Sequence, residues 1–187
     1  NASQGDQSIR RSGADRAHDS QASKAAREEG RPPGQGRFLA AMGAVQRGDA
    51  VKAREHLEVA VQEGSFYAAH ILGKMWLDGV FGKSSSELAL SLFQRAAIAG
   101  LPEGIEDFWR TLATFKPGEV YKKSQRSTQQ SHQKGDPIGS VNFAASQFLA
   151  PNADQEQQAA GIALMKRAAS QGSASAAELL RKWGGGA

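Results

Sequence analysis

Gly64 and Gly100 lie 36 residues apart, Gly172 follows 72 further on, and similar residues surround all three. A recurrence of that length marks a helical repeat protein and constrains the fold more than any other feature of the chain. Aligned on the glycines, the segments are KAREHLEVAVQEGSFYAAHILGKMW from Lys52, LALSLFQRAAIAGLPEGIEDFWRTL from Leu88 and AGIALMKRAASQGSASAAELLRKWG from Ala160. Four positions before the glycine stand Ala60, Ala96 and Ala168; seven before stand Leu57, Phe93 and Met165; eight after stand Leu72, Phe108 and Leu180. A fourth copy, KGDPIGSVNFAASQF, fits one residue out of phase. Gly135 is its glycine, Gly139 shares the column of Ala68, Gly104 and Ala176, and Phe143 shares that of Leu72.

Each unit reads as helix, loop, helix, tight turn. Leu92, Phe93, Ala96 and Ala97 follow the spacing that lays an apolar stripe along one helix face, and Gly100 supplies a left-handed C-cap. Small residues at the crossing points let paired helices approach closely. A pair this short cannot bury its own stripe, so neighbouring pairs must stack and share one core.

The segment from Tyr67 to Gly100, YAAHILGKMWLDGVFGKSSSELALSLFQRAAIAG, resembles the Sel-one-like repeat, a relative of the tetratricopeptide repeat. That family's unit runs approximately A-x-x-x-L-G-x-M-Y-x-x-G-x-G-V, a short polar stretch, then A-x-x-W-Y-x-K-A-A-x-x-G. Ala68, Leu72, Gly73, Met75, Trp76, Gly79, Ala89, Phe93, Ala96, Ala97 and Gly100 sit where the pattern places them. The later units depart from it: Trp109, Ala144 and Arg181 stand in the column of Gly73. Upstream, FLAAMGAVQRGDAVKAREHLEVAVQEG puts Met42 and Gly43 in the place of Leu72 and Gly73, with a shorter loop turning through Gly48 and Asp49. The resemblance covers Phe38 to Trp183. It implies an all-α fold over residues 37–187, a right-handed α-α superhelix, or solenoid, of about four to five antiparallel helix pairs.

Residues 1–36 contain one large apolar side chain, Ile9, amid Ser, Gln, Gly and mixed charge. Such a stretch cannot offset its chain entropy by burial and is expected to be a disordered tail or linker, with a helical turn or docking segment at Ser20 to Glu29 as the alternative. Pro32, Pro33, Gly34 and Gly36 form a break before the first helix. The start at Asn1 points to a processed or trimmed product. No apolar run approaches the roughly 18 residues of a membrane span, so no membrane insertion is expected. The absence of cysteine excludes disulfides and thiolate metal sites.

Lys and Arg number 23 against 19 Asp and Glu, a net charge of +4, and the cations are dispersed among acids. A nucleic-acid binder would cluster them, so no nucleic-acid partner is expected. The one basic stretch, KPGEVYKKSQRSTQQSHQKGD, carries Lys116, Lys122, Lys123, Arg126 and Lys134. It reads as a solvated surface, or as an attractor for an anionic partner or lipid headgroups. The repeat also fails here: Thr128, Ser131 and His132 occupy the columns of Phe93, Ala96 and Ala97. Residues 116–136 are therefore expected to form an irregular basic insertion, a flexible loop interrupting the stack. The alternative is a helix anchored only by Val120 and Tyr121 and completed by a partner.

No catalytic constellation emerges. Ser131-His132-Gln133-Lys134 spells S-x-x-K without the companion motifs of serine acylases. Gly34-Gln35-Gly36 lacks the third glycine and the preceding strand of a nucleotide loop. Glu103 and Glu106 stand side by side on one helix, whereas a glycosidase needs its carboxylates on opposite sides of the scissile bond. His18, His56, His70 and His132 have no metal-ligand spacing, so neither metal nor cofactor is expected. His56, Trp76 and Trp109 read as packing residues.

Carried through the alignment, the resemblance implies a concave partner-binding face made of Arg37, Arg47, Tyr67, His70, Lys74, Glu103, Glu106, Arg110, Glu178 and Lys182. The implied function is a non-enzymatic adaptor or regulator that holds a partner protein in that groove, in the periplasm or bacterial cell envelope, with the cytoplasm as the other compartment. A narrower form is an immunity protein that neutralises a secreted toxin. The opposing class is an enzyme acting on cell-wall polymers.

Overall fold

Local capping chemistry sets most helix starts in the computed structural model, which describes Gly30 and residues 32–184. The helices are α1 (Gln35–Gln46), α2 (Ala50–Gln62), α3 (Phe66–Leu77), α4 (Ser86–Ile98), α5 (Pro102–Phe115), α6 (Glu119–Gln133), α7 (Pro137–Phe148), α8 (Gln155–Ser170) and α9 (Ala174–Lys182). Six begin behind a Ser or Asp that accepts a first-turn N–H: Asp49, Ser65, Ser85, Asp136, Asp154 and Ser173. The fold is all-α, with no strand among the described residues.

The aligned glycines make one turn four times. Gly64, Gly100, Gly135 and Gly172 have φ of 95°, 82°, 80° and 94°, in the left-handed region that favours glycine. The residue after each donates its N–H back to the column residue four before: Ser65 to Ala60 O, Leu101 to Ala96 O, Asp136 to Ser131 O and Ser173 to Ala168 O, at 2.9–3.1 Å. The glycine N–H is bonded to the carbonyl three before it, which completes a left-handed C-cap. The next helix then crosses closely. A Cβ at Gly104 would lie 2.4 Å from the Ala96 Cβ, and one at Gly139 would lie 2.4 Å from the Ser131 Cβ.

Consecutive helices pack on one another with one exception. α6 leans on α7 and has little backbone contact with α5, whose neighbours are α4, α7 and α9. Apolar burial falls into two clusters. Ala41, Leu57, Ala60, Ala68 and Leu72 join α1, α2 and α3. Phe93, Ile105, Trp109, Val141, Met165 and Leu179 centre a larger cluster extending to α9.

Three expectations are corrected. Residues 116–136 are not a loop, because α6 spans Glu119–Gln133. The reason is that a buried helix face need not be apolar. Tyr121, Ser124, Gln125, Thr128, Ser131 and His132, the covered positions of α6, recur at three- and four-residue spacing. Tyr121 Oη donates to Ser146 O at 2.7 Å, Gln125 Nε2 reaches the same carbonyl at 3.3 Å, and His132 stacks on Phe143 with centroids 5.6 Å apart. Val120 is not an anchor, being 53% exposed. The boundary at residue 36 also moves, since α1 already begins at Gln35 behind a left-handed Gly34. A Cβ on Gly34 would meet Ala60 O at 2.6 Å, which explains a glycine at the start of the first pair. The expectations for residues 1–29 lie outside the described residues. No helix among them is long and apolar enough to cross a membrane.

Candidate functional site

α5 packs against α4, α7 and α9, so some of its polar residues, Glu106 and Thr111, are covered along with its apolar ones. Ile105, Phe108, Trp109 and Leu112 enter the core, and Glu106, one residue from Ile105, is left only 4% exposed. A buried carboxylate needs donors on every side. Arg110, one turn along, donates from Nε to Glu106 Oε1 at 2.9 Å. Trp183, just past α9, donates from Nε1 to the same oxygen at 3.3 Å, its ring stacked on Phe148. Oε2 accepts no ordinary hydrogen bond and is met by the Lys182 ammonium.

Asp107 ties α5 in the other direction. His70 Nε2 lies 2.8 Å from its Oδ2, and Lys74 Nζ lies 3.9 Å from the same atom. An ionised carboxylate only accepts, so the imidazole Nε2 carries the proton. Burial pushes both carboxyls up, and their donors outweigh it. Lys182, Arg110 and Trp183 hold Glu106 below its ordinary value, and His70 and Lys74 do the same for Asp107. Both are therefore ionised at neutral pH. The side chains of Lys74, Arg110 and Lys182 remain 51%, 55% and 50% exposed, so the carboxylates orient these cations without hiding them.

Of the ten residues expected on a partner face, the structure thus joins His70, Lys74, Glu106, Arg110 and Lys182 through α3, α5 and α9. The others take no part in these contacts. Arg37 and Arg47 are exposed on and beside α1, and Glu103 is exposed on α5. Tyr67 is 49% exposed, its ring beside those of Phe66 and Phe38. Glu178 pairs with Arg181 on its own helix. Glu103 and Glu106, weighed as a carboxylate pair, differ in environment, one exposed and the other enclosed by three donors.

Sequence reasoning missed Asp107 and Trp183. Asp107 stands in the column of Ile71 and Leu179, where the repeat expects an apolar packing residue. A charge in a core column was the signal available. Trp109 is fully buried, as its packing assignment expected, and its Nε1 donates to Asn142 Oδ1 at 3.2 Å. Trp76 is half-buried, edge-on to Phe81 and beneath the Arg54 guanidinium.

Two cavities lie away from this face. One of about 700 Å³ is bounded by the Gly100, Gly135 and Gly172 turns, with Ile105 and Leu164 in its wall and Arg167 also lining it. The other, about 430 Å³, separates α4 from α6, with Trp109 and Asn142 at its base and Lys123 and Ser127 on the α6 side. Among the described residues, no three His, Asp or Glu side chains are grouped to hold a metal ion. Comparison with protein-family models, curated proteins and solved structures finds no match for this chain, so its function has to be read from the charged face itself.

Proposed function

We propose that the chain is a Sel-one-like α-α solenoid that acts as a non-enzymatic adaptor or regulator, holding an acidic segment of a partner protein against the face shared by α3, α5 and α9. One observation carries the reading: two consecutive carboxylates, Glu106 and Asp107, hold Lys74, Arg110 and Lys182 in place while about half of each cation stays in solvent. Side chains ordered before contact lose little entropy on binding, and an orderly set of cations selects an acidic surface. The four like glycine turns support the repeat reading, because a recurring turn at one alignment column is what repeated helix pairs require.

The test is affinity capture from the native host with immobilised wild-type protein and with a variant in which His70, Lys74 and Arg110 are all alanine. The reading expects one or more proteins retained by the wild type and weakened roughly tenfold or more in the variant, measured at a temperature where circular dichroism shows both folded, because the variant's Glu106 and Asp107 lose donors and its thermal midpoint falls. Equal retention by both would exclude the face.

A further inference from the structure

We propose that the corner joining α5 to α6 docks on an anionic lipid surface. Phe115 ends α5 and Val120 lies in the first turn of α6; they are 49% and 53% exposed. An ion pair of 3.3 Å between Lys116 Nζ and Glu87 Oε1 draws the first turn of α4 to the same edge, where Leu88 is 45% exposed. Single exposed apolar residues are commonplace, but three gathered at one corner form a patch.

Cations frame that patch. Lys116, Lys122, Lys123 and Arg126 fall within eleven consecutive residues, and Glu87 and Glu119 are the acids paired with them. Beyond Glu119 no acid occurs before Asp136, so past its first turn the outward face of α6 carries cations, amides and the Ser127 hydroxyl, with no anion. The orientation of this face is set from behind, because Tyr121 is buried and bonded to Ser146 O. The opposite side of the helix therefore points outward as a unit.

A cationic cluster of this size is what an anionic leaflet attracts, and stable peripheral attachment takes a second, apolar signal as well. The corner supplies both. Phe115 and Val120 line neither cavity; they project from the surface. A projection suits a deformable lipid interface, whereas a protein partner would need a pocket shaped to receive it. The attachment is peripheral, since no described helix is long and apolar enough to span. It uses a different surface from the α3, α5 and α9 face and does not rest on the reading of that face.

The experiment is co-sedimentation of the full chain with vesicles of phosphatidylcholine alone and with vesicles containing about one-third phosphatidylserine. Sedimentation is expected with the anionic vesicles only, and it should fall as salt is raised. Lys122→Glu with Lys123→Glu should weaken it roughly tenfold or more, and Phe115→Ser with Val120→Ser should do so with every charge intact. Circular dichroism should show both variants folded, as their side chains are exposed. No binding to anionic vesicles, equal binding to both vesicle types, or unchanged binding by both variants would overturn the proposal. Retention on immobilised polyglutamate without vesicle binding would replace the lipid with an acidic polypeptide.

Discussion

α4 and α6 occupy equivalent places in successive units and end in the same glycine turn, yet they are held by different chemistry. α4 buries Ala89, Phe93, Ala96 and Ala97. In the columns of the last three, α6 offers Thr128, Ser131 and His132, and its one buried side chain is Tyr121. Burying a large apolar side chain stabilises by about 1.5–3 kcal/mol, against about 0.5–1.5 kcal/mol net for a hydrogen bond. α6 is thus the more weakly held, and it leans on α7 with a cleft of about 430 Å³ between it and α4. Turn geometry and adhesion are separable: the backbone turn survives where the apolar stripe does not.

The strongest way to break this comparison is to cut both helices at the same column. Phe93→Ala should cost about 3–5 kcal/mol in urea unfolding, as deletion of a fully buried ring does. Thr128→Ala should cost less than about 0.5 kcal/mol. Equal costs would mean that α6 is held as α4 is. The helix crossings sharpen the point at smaller amplitude. Gly104→Ala should cost about 1–3 kcal/mol, because the new methyl also meets the Ala96 and Ala97 backbone at 3.0 and 3.2 Å. Gly139→Ala should cost a similar amount, since its methyl would meet the Ser131 Cβ at 2.4 Å and displace the Asp136 carboxylate that caps α7.

Tyr121→Phe should cost about 1 kcal/mol, because Ser146 O loses its shorter donor and keeps Gln125. Hydrogen exchange should show the loss concentrated in α6. Acid tests the ionic joints of α5 against the apolar contact of α4. The folded values of Glu106 and Asp107 are depressed, so their stabilisation is complete above the ordinary carboxylate range and is lost as pH falls beneath that range through the folded values. Asp107→Asn should flatten the fall of the urea midpoint with acid. An unchanged acid slope in that variant would show that the His70 and Lys74 contacts do not link α3 to α5 energetically.

Much of the fold was legible before any coordinates. The glycine column, the small residues at Gly104 and Gly139, and the burial of Trp109 all follow from spacing. α6 escapes a reading in which only apolar residues define a buried face, because Tyr121, Ser124, Gln125 and Thr128 form its covered side at helical spacing. The charged face was half legible. His70 and Glu106 share one alignment column and Lys74, Arg110 and Lys182 another, one turn along, but Asp107 lies in a core column and Trp183 beyond the last helix.

By itself the sequence determined the ends of the helices that carry a side-chain or glycine cap, because a cap is a contact among residues a few positions apart: Ser65 with Ala68, or Gly64 and Ser65 with the end of α2. Tertiary structure alone decided that α6 packs on α7 and not on α5, and that α9 returns to α5, bringing Trp183 to Glu106 across 77 positions. That meeting depends on helix crossings accumulated over the intervening units and on which cavities the packing leaves, and no local run of residues encodes either.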